Sequence, residues 1–278
     1  MRDFYANANA FTASSRMPLD QADGLRRLFA GRRAALLPIC ANPHVAFSAG
    51  VLDRLAAVLA AQGRDVLVVD AAGTSPLPHE LATLDLAACI EAVATRIAYL
   101  PARGLPLAHV DTRGGAGGFI DALLQAAPQT EVIVLHADAT DLARILKHRE
   151  ARPLLLGADH PESIKHAYAN AKLLARRCEL MTYDLLLVSA PHSPRTAAIG
   201  RSLAGCLENF LGALLRGTAV IDPAGELADA PDAALQQLLS AQLDGAEDTA
   251  PSLPAWRAAA PRSNRSPAVH SEFQAVNR

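Results

Sequence analysis

Seven short apolar runs, each separated from the next by a longer stretch, most of them with helical period, leave this chain few folds to choose among. The runs are Ala35–Cys40, Asp65–Asp70, Leu107–Asp111, Glu131–His136, Arg152–Gly157, Tyr183–Ser189 and Ala219–Asp222. Several lack polar alternation, as strands do when both faces of a parallel sheet are covered. Between them, Phe47–Gln62, Gly118–Ala127, Thr140–His148, Pro161–Cys178 and Pro194–Leu215 repeat apolar residues at helical spacing. Strand alternating with helix predicts βαβ units, and hence an α/β fold with a doubly wound, mostly parallel sheet covered by helices on both faces. With 51% of 278 residues apolar, a large core is available for it.

In such a sheet ligands sit at the carboxyl ends of the strands. The candidate functional loops are therefore Ala41–Phe47, Ala71–His79, Thr112–Gly118, Ala137–Thr140, Ala158–Pro161 and Ala190–Pro194. Thr112–Gly118 is glycine-rich but has no lysine, and reads as a flexible turn from strand to helix. Thr74–His79 reads as a rigid surface loop, and His160, His166 and His192 as loop or surface histidines.

Other classes are excluded by what the chain lacks. The first 16 residues have no apolar core of a signal peptide. No run of about 18 apolar residues is present, so no membrane-spanning helix is predicted. A net charge of −2 without a basic patch disfavours nucleic acid. Cys40, Cys89, Cys178 and Cys206 fall at no CxxC spacing and read as free thiols in a reducing compartment. The histidines form no HExxH-like pair, so no metal site is predicted. Residues 1–18 read as a flexible lead, 19–30 as a separate helix, 31–245 as the α/β domain, and 246–278 as a disordered tail.

Several stretches carry a resemblance. AALLPICANPHVAFSAGVLDRLAAVLAAQGRDVLVVDAA is similar to the opening unit of MinD/ParA-type ATPases. DQADGLRRLF, Asp20–Phe29, resembles the DQAxGLR helix that FlhG/FleN flagellar regulators carry ahead of that fold. RPLLLGADHPESIKHAYANAKLL and YDLLLVSAPHSPRTAAIGRSLAGCLENFLGALL resemble two later units of the same family, and AVIDP its last strand. The resemblance runs from Asp20 to Pro223. It implies a MinD-like P-loop NTPase fold, a cytoplasmic protein with recruitment to a cell pole or flagellar base as an option, and a role in flagellar assembly.

The same comparison exposes a deficit. A phosphate-binding loop needs bare backbone N–H groups, a lysine and a Mg²⁺-binding hydroxyl. The family's KGGxGK[ST] falls on Pro43, His44, Val45, Ala46, Phe47, Ser48 and Ala49, counted without gaps from Asp70. No glycine remains, both lysine positions are lost, and the hydroxyl position is Ala49. The family's DxD reads Asp70-Ala71-Ala72. Where the family's later strand ends in Asp, this chain has His136, with Asp138 two residues on. ATP and Mg²⁺ are therefore not expected as cofactors, and no catalytic residues of the chain's own are expected. On this reading Asn42 caps the following helix, Pro43 sits in its first turn, and Val45 and Phe47 pack into the vacated space. The rival readings are a nucleotide site rebuilt on helix N-terminal amides, or another anionic ligand.

What the resemblance leaves intact is partner-directed. Asp20, Gln21, Gly24, Leu25 and Arg26 match the family helix that reaches into the signal-recognition-type GTPase FlhF, and its glutamine implies a role in stimulating GTP hydrolysis. Leu25, Leu28 and Phe29 form an apolar stripe on that helix. Three functions stay open: a non-hydrolysing FlhG-like regulator, a MinD/ParA-type ATPase with a rebuilt site, and a polarity or division scaffold. Without an ATP-bridged contact, a monomer or a dimer through another surface is expected. Pro231–Leu243 is apolar at helical spacing but has no Lys or Arg, so it reads as a helix docked on the domain or at a subunit contact rather than on a membrane.

Overall fold

A computed structural model describes residues 34–190, 193–225 and 233–247. Residues 1–33, including the Asp20–Phe29 segment read as a helix from the sequence, lie outside the described residues, as do His192 and the residues beyond Glu247.

One eight-stranded sheet organises everything: β1 (Ala35–Cys40), β2 (Val66–Asp70), β3 (Glu91–Ala94), β4 (Ile97–Pro101), β5 (Val132–Ala137), β6 (Leu154–Ala158), β7 (Thr182–Val188) and β8 (Leu214–Ile221). The spatial order is β3-β4-β2-β5-β1-β6-β7-β8, parallel throughout except for the β3–β4 hairpin. The helices are α1 (Ser48–Ala61), α2 (Leu105–Ala108), α3 (Gly118–Ala126), α4 (Ala139–Ile145), α5 (Pro161–Cys178), α6 (Pro194–Leu211) and α7 (Ala233–Glu247).

Strand residues alternate between two cores, as a covered sheet requires. On β5, Val132 and Val134 join α1 and α7, while Ile133, Leu135 and Ala137 join α3, α4, α5 and α6. α1 forms because Val51, Leu52, Leu55, Ala56 and Leu59 make one buried face. It stops at Gln62 and Gly63, whose φ of +83° is the left-handed turn that ends helices. Pro38 sits inside a central strand without cost. The N–H groups of Ala35 and Ala41 both point to β5, so Pro38 lacks a donor only on the β6 side, and β6 pairs no lower than Ile39.

Three sequence expectations fail here. Leu107–Asp111 is not a strand: the place beside β2 belongs to β4, in register from Val66↔Ile97 to Asp70↔Pro101. Gly104 (φ +80°) and Pro106 start α2 instead. Thr112–Gly118 therefore joins two helices, and Asp111 Oδ1 ties it by accepting from Arg113 N–H and Gly115 N–H at 2.8 Å each. Finally, α6 ends at Gly212 in the left-handed conformation, and β8 begins at Leu214, five residues before its expected start.

α7 is docked. Leu235, Leu238, Leu239 and Leu243 are buried against the α1 face of the sheet. At its far end Gln242 Nε2 donates to Asp184 Oδ2 at 2.6 Å, and Arg152 Nε lies 2.9 Å from the same oxygen. The Arg152 guanidinium also reaches the Ala241 carbonyl.

Candidate functional site

The carboxyl ends of β1, β2, β5 and β6 meet at one place, under the loop from Ala41 to Phe47. Two asparagines hold that loop to α5. Asn42 is 4% exposed. Its Nδ2 donates to the Leu156 carbonyl at 2.8 Å and the Ser163 carbonyl at 2.9 Å, with Ser163 Oγ at 3.0 Å, and its Oδ1 accepts from His44 N–H at 3.1 Å. Asn170 Nδ2 donates to the Ala41 carbonyl at 2.9 Å. Asn42 is thus an anchor across 121 residues rather than the helix cap that the sequence suggests. Pro43 lies in the loop, outside the first turn of α1, which starts at Ser48.

Val45 does fill space beneath the loop, at 6% exposure, inside the α1 core. Phe47 does not. It is 77% exposed and stands at φ 58°, ψ 37°, as the residue before α1, with no side-chain cap. The left-handed geometry directs the chain into the helix and turns the ring to solvent. That conformation strains any residue with a Cβ. Between Ala41 and Ala49 there is no lysine, arginine or glycine.

Below the loop, Asp70 closes β2. It is 5% exposed. His136 Nδ1, from the neighbouring β5 register position, donates to Asp70 Oδ1 at 2.7 Å, and the Ser75 hydroxyl donates to the same oxygen. The Tyr99 hydroxyl stands 3.4 Å from Oδ2. Burial alone raises the Asp70 carboxyl, but the His136 and Ser75 hydrogen bonds outweigh it and hold the group below its ordinary value. Tyr99 is pushed up to about 12 by burial and by that same carboxylate. His136 Nε2 is buried without a hydrogen-bond partner among the described residues. Asp138 turns to the β2 loop, where its Oδ2 accepts from Gly73 N–H at 3.1 Å; a Cβ at Gly73 would come 3.0 Å from that oxygen.

Three imidazoles rim the loop. His44 stacks on His160 at 6.4 Å between ring centres and meets His166 edge-on at 5.8 Å. Burial, then His44, lowers the His166 imidazole, against the pull of Asp138. His160 Nδ1 accepts from Glu162 N–H and so caps α5. Among the described residues no three His, Cys, Asp or Glu side chains are placed to hold a metal ion. No described helix is long and apolar enough to cross a membrane.

Sequence reasoning placed Asn42, Pro43, His44, Phe47, Ser48 and Asp70 at one sheet end, and the structure brings them there. It missed the Asp70–His136–Ser75 cluster and the role of Asn170. The sequence put each on a definite face, Asp70 in phase with Val66/Val68 and His136 in phase with Val132/Val134, but nothing in it made the two strands neighbours. Asp20, Gln21, Gly24, Leu25 and Arg26 lie outside the described residues.

This arrangement defines a doubly wound α/β protein of the MinD/ParA-type P-loop NTPase fold. No protein-family model and no curated protein matches the sequence. Among solved structures, a Borrelia burgdorferi B31 protein described as a plasmid partition protein, bound to AMPPNP, matches at a TM-score of 0.51 and 8% identity, over 78% of this chain and 97% of that one. Another Borrelia burgdorferi plasmid partition protein matches at 0.50 and 11% identity, over 75% and 100%. The MinD cell division protein of Aquifex aeolicus matches at 0.46 and 12% identity, over 68% and 83%.

Proposed function

We propose that this chain is a partner-binding regulator built on a MinD/ParA-type scaffold, without ATP hydrolysis of its own. The observation that carries the reading is the state of Asp70. Its carboxylate, the acidic group nearest the rebuilt loop on β2, is engaged by His136 and Ser75, and the loop above supplies neither cation nor glycine. Phosphoryl transfer rests on positioned charge and crowded backbone donors. These residues do not fit a Mg²⁺-nucleotide, and no catalytic step is assigned to them.

The finer reading follows the FlhG-like resemblance. Asp20, Gln21, Gly24, Leu25 and Arg26 then act on an FlhF-like GTPase in flagellar assembly, with the α/β domain as the platform. An amide can orient an attacking water and a cation can steady developing charge in a partner's site, whatever the donor protein itself binds.

Titration calorimetry of the full chain against ATP and ADP with Mg²⁺ tests the first claim: no heat of binding is expected, and micromolar affinity dependent on Mg²⁺ would favour a rebuilt ATPase. The second claim is tested by GTP turnover of the GTPase partner. Stimulation by the wild-type chain, lost in Gln21→Ala, is expected; unchanged stimulation retires the role of the helix.

A further inference from the structure

The two edges of the sheet are built differently. β3 is four residues long, fully exposed, begins with Glu91, and its pairing with β4 shifts register after Ala92. Those are the usual devices that stop an edge from recruiting another strand. β8 has almost none of them. It is eight residues long and contains no proline. Its register with β7 is continuous from Asp184↔Gly217 to Val188↔Ile221. Its one charge, Arg216, lies at the irregular lower end. Among the described residues nothing pairs with its outer side.

Beside that open edge runs a groove of about 750 Å³, between α6 and β8. Gly200 opens it: a Cβ there would already meet Thr218 at 3.7 Å, so any longer side chain would occupy the space. Leu215 and Val220 form its apolar wall. Thr196 Oγ1 is buried in it with no hydrogen-bond partner among the described residues. Arg201 is exposed at its rim and makes no ion pair among the described residues. At the lower end of the same edge Phe210 and Leu214 are 74% and 57% exposed.

We propose that β8 is a docking edge for an extended segment of another protein. The segment adds as a ninth strand and places alternate side chains in the α6 groove. Backbone pairing supplies the affinity of such a contact and the side-chain groove its selectivity. The segment's chemistry follows from the walls: apolar residues over Leu215 and Val220, and a carboxylate opposite Arg201. Asp222, at the top of the groove, is already engaged by Ala224 N–H at 3.0 Å, so the acidic residue belongs lower down.

Charge argues against the chain's own ends as occupants. Residues 1–33 carry Arg2, Arg16, Arg26, Arg27, Arg32 and Arg33 against Asp3, Asp20 and Asp23. Residues 248–278 carry four arginines against Asp248 and Glu272, and four prolines that would interrupt a strand ladder. A second copy paired through β8 would bring Arg201 and Arg216 of both copies to one seam.

The test uses the full-length chain and a fluorescein-labelled peptide, Val-Thr-Glu-Thr-Val-Thr, whose valines and glutamate share one strand face, with a lysine analogue in place of the glutamate. Fluorescence anisotropy should show saturable binding of the glutamate peptide and roughly tenfold weaker binding of the lysine peptide. Arg201→Glu should reverse that preference, and Gly200→Leu should abolish binding of both. A circular dichroism melt that matches wild type establishes that each variant is folded, and a variant that fails it is replaced by Gly200→Met or Arg201→Gln. Hydrogen exchange should show new protection of β8 amides only when peptide is present. Absence of binding, equal binding of both peptides by wild type, or protection of β8 that rises with protein concentration alone would each overturn the proposal. The last of these would identify a second copy as the occupant.

Discussion

Removing His136 should expose how much of the sheet's central seam depends on one buried pair. In His136→Ala, Asp70 keeps Ser75 and a long contact to Tyr99 but loses the donor at 2.7 Å. Losing a hydrogen bond to a buried carboxylate costs about 1.5–3 kcal/mol, and the upper end applies because Asp70 is buried. Asp70→Asn alone removes the charge but keeps a polar group, so about 2 kcal/mol is expected. The double variant should cost less than the sum by about 1–2 kcal/mol, since the second change removes a charge already stranded. Urea unfolding at pH 7 reads all three. A slope of about 2–3 kcal/mol/M converts the single His136 loss into a midpoint shift of roughly 1 M. Proton linkage gives a second readout. The folded-state pKa of Asp70 is depressed, so its contribution is present above the unfolded carboxyl value of about 4. It is lost as pH falls from there through the folded value. Asp70→Asn should therefore flatten the acid limb below about pH 4. Strict additivity, or an unchanged acid limb, would refute the account of the pair.

Other perturbations follow from the same geometry. Phe47→Gly should stabilise the chain by about 0.5–1 kcal/mol in urea unfolding, because it relieves a left-handed backbone and the ring it removes is largely in solvent. Asn42→Ala should destabilise by about 2–3 kcal/mol, since it strands the buried carbonyls of Leu156 and Ser163; faster proteolysis at the 41–47 loop checks it. Arg152→Met should leave Asp184 buried without its cation, at a cost of about 3 kcal/mol. It should loosen α7 first, seen as faster hydrogen exchange in that helix than in α5.

Strand and helix spacing was legible wherever burial on both faces made the runs unambiguous: α5 has the expected bounds, and β1 too. The β3–β4 hairpin was not, because EAVATRIAYLP is half exposed and its strand character comes from lying against β2. LPLAHVD has an apolar look that fits a strand, yet Gly104 and Pro106 turn it into a helical start. Asn42 beside a helix start has the local signature of a cap; only a partner 121 residues away, Ser163, shows that it is an anchor.

From its own order of residues this chain determined the alternation of strands and helices, and with it the parallel sheet. It also determined the absence of lysine and glycine from the first loop, because side-chain chemistry and backbone freedom are local properties. Only the tertiary structure decided which strands are neighbours. That choice set His136 against Asp70, seated Asn42 on α5, and left β8 as a bare edge beside a groove, since contacts between distant residues depend on packing order, which no local pattern encodes.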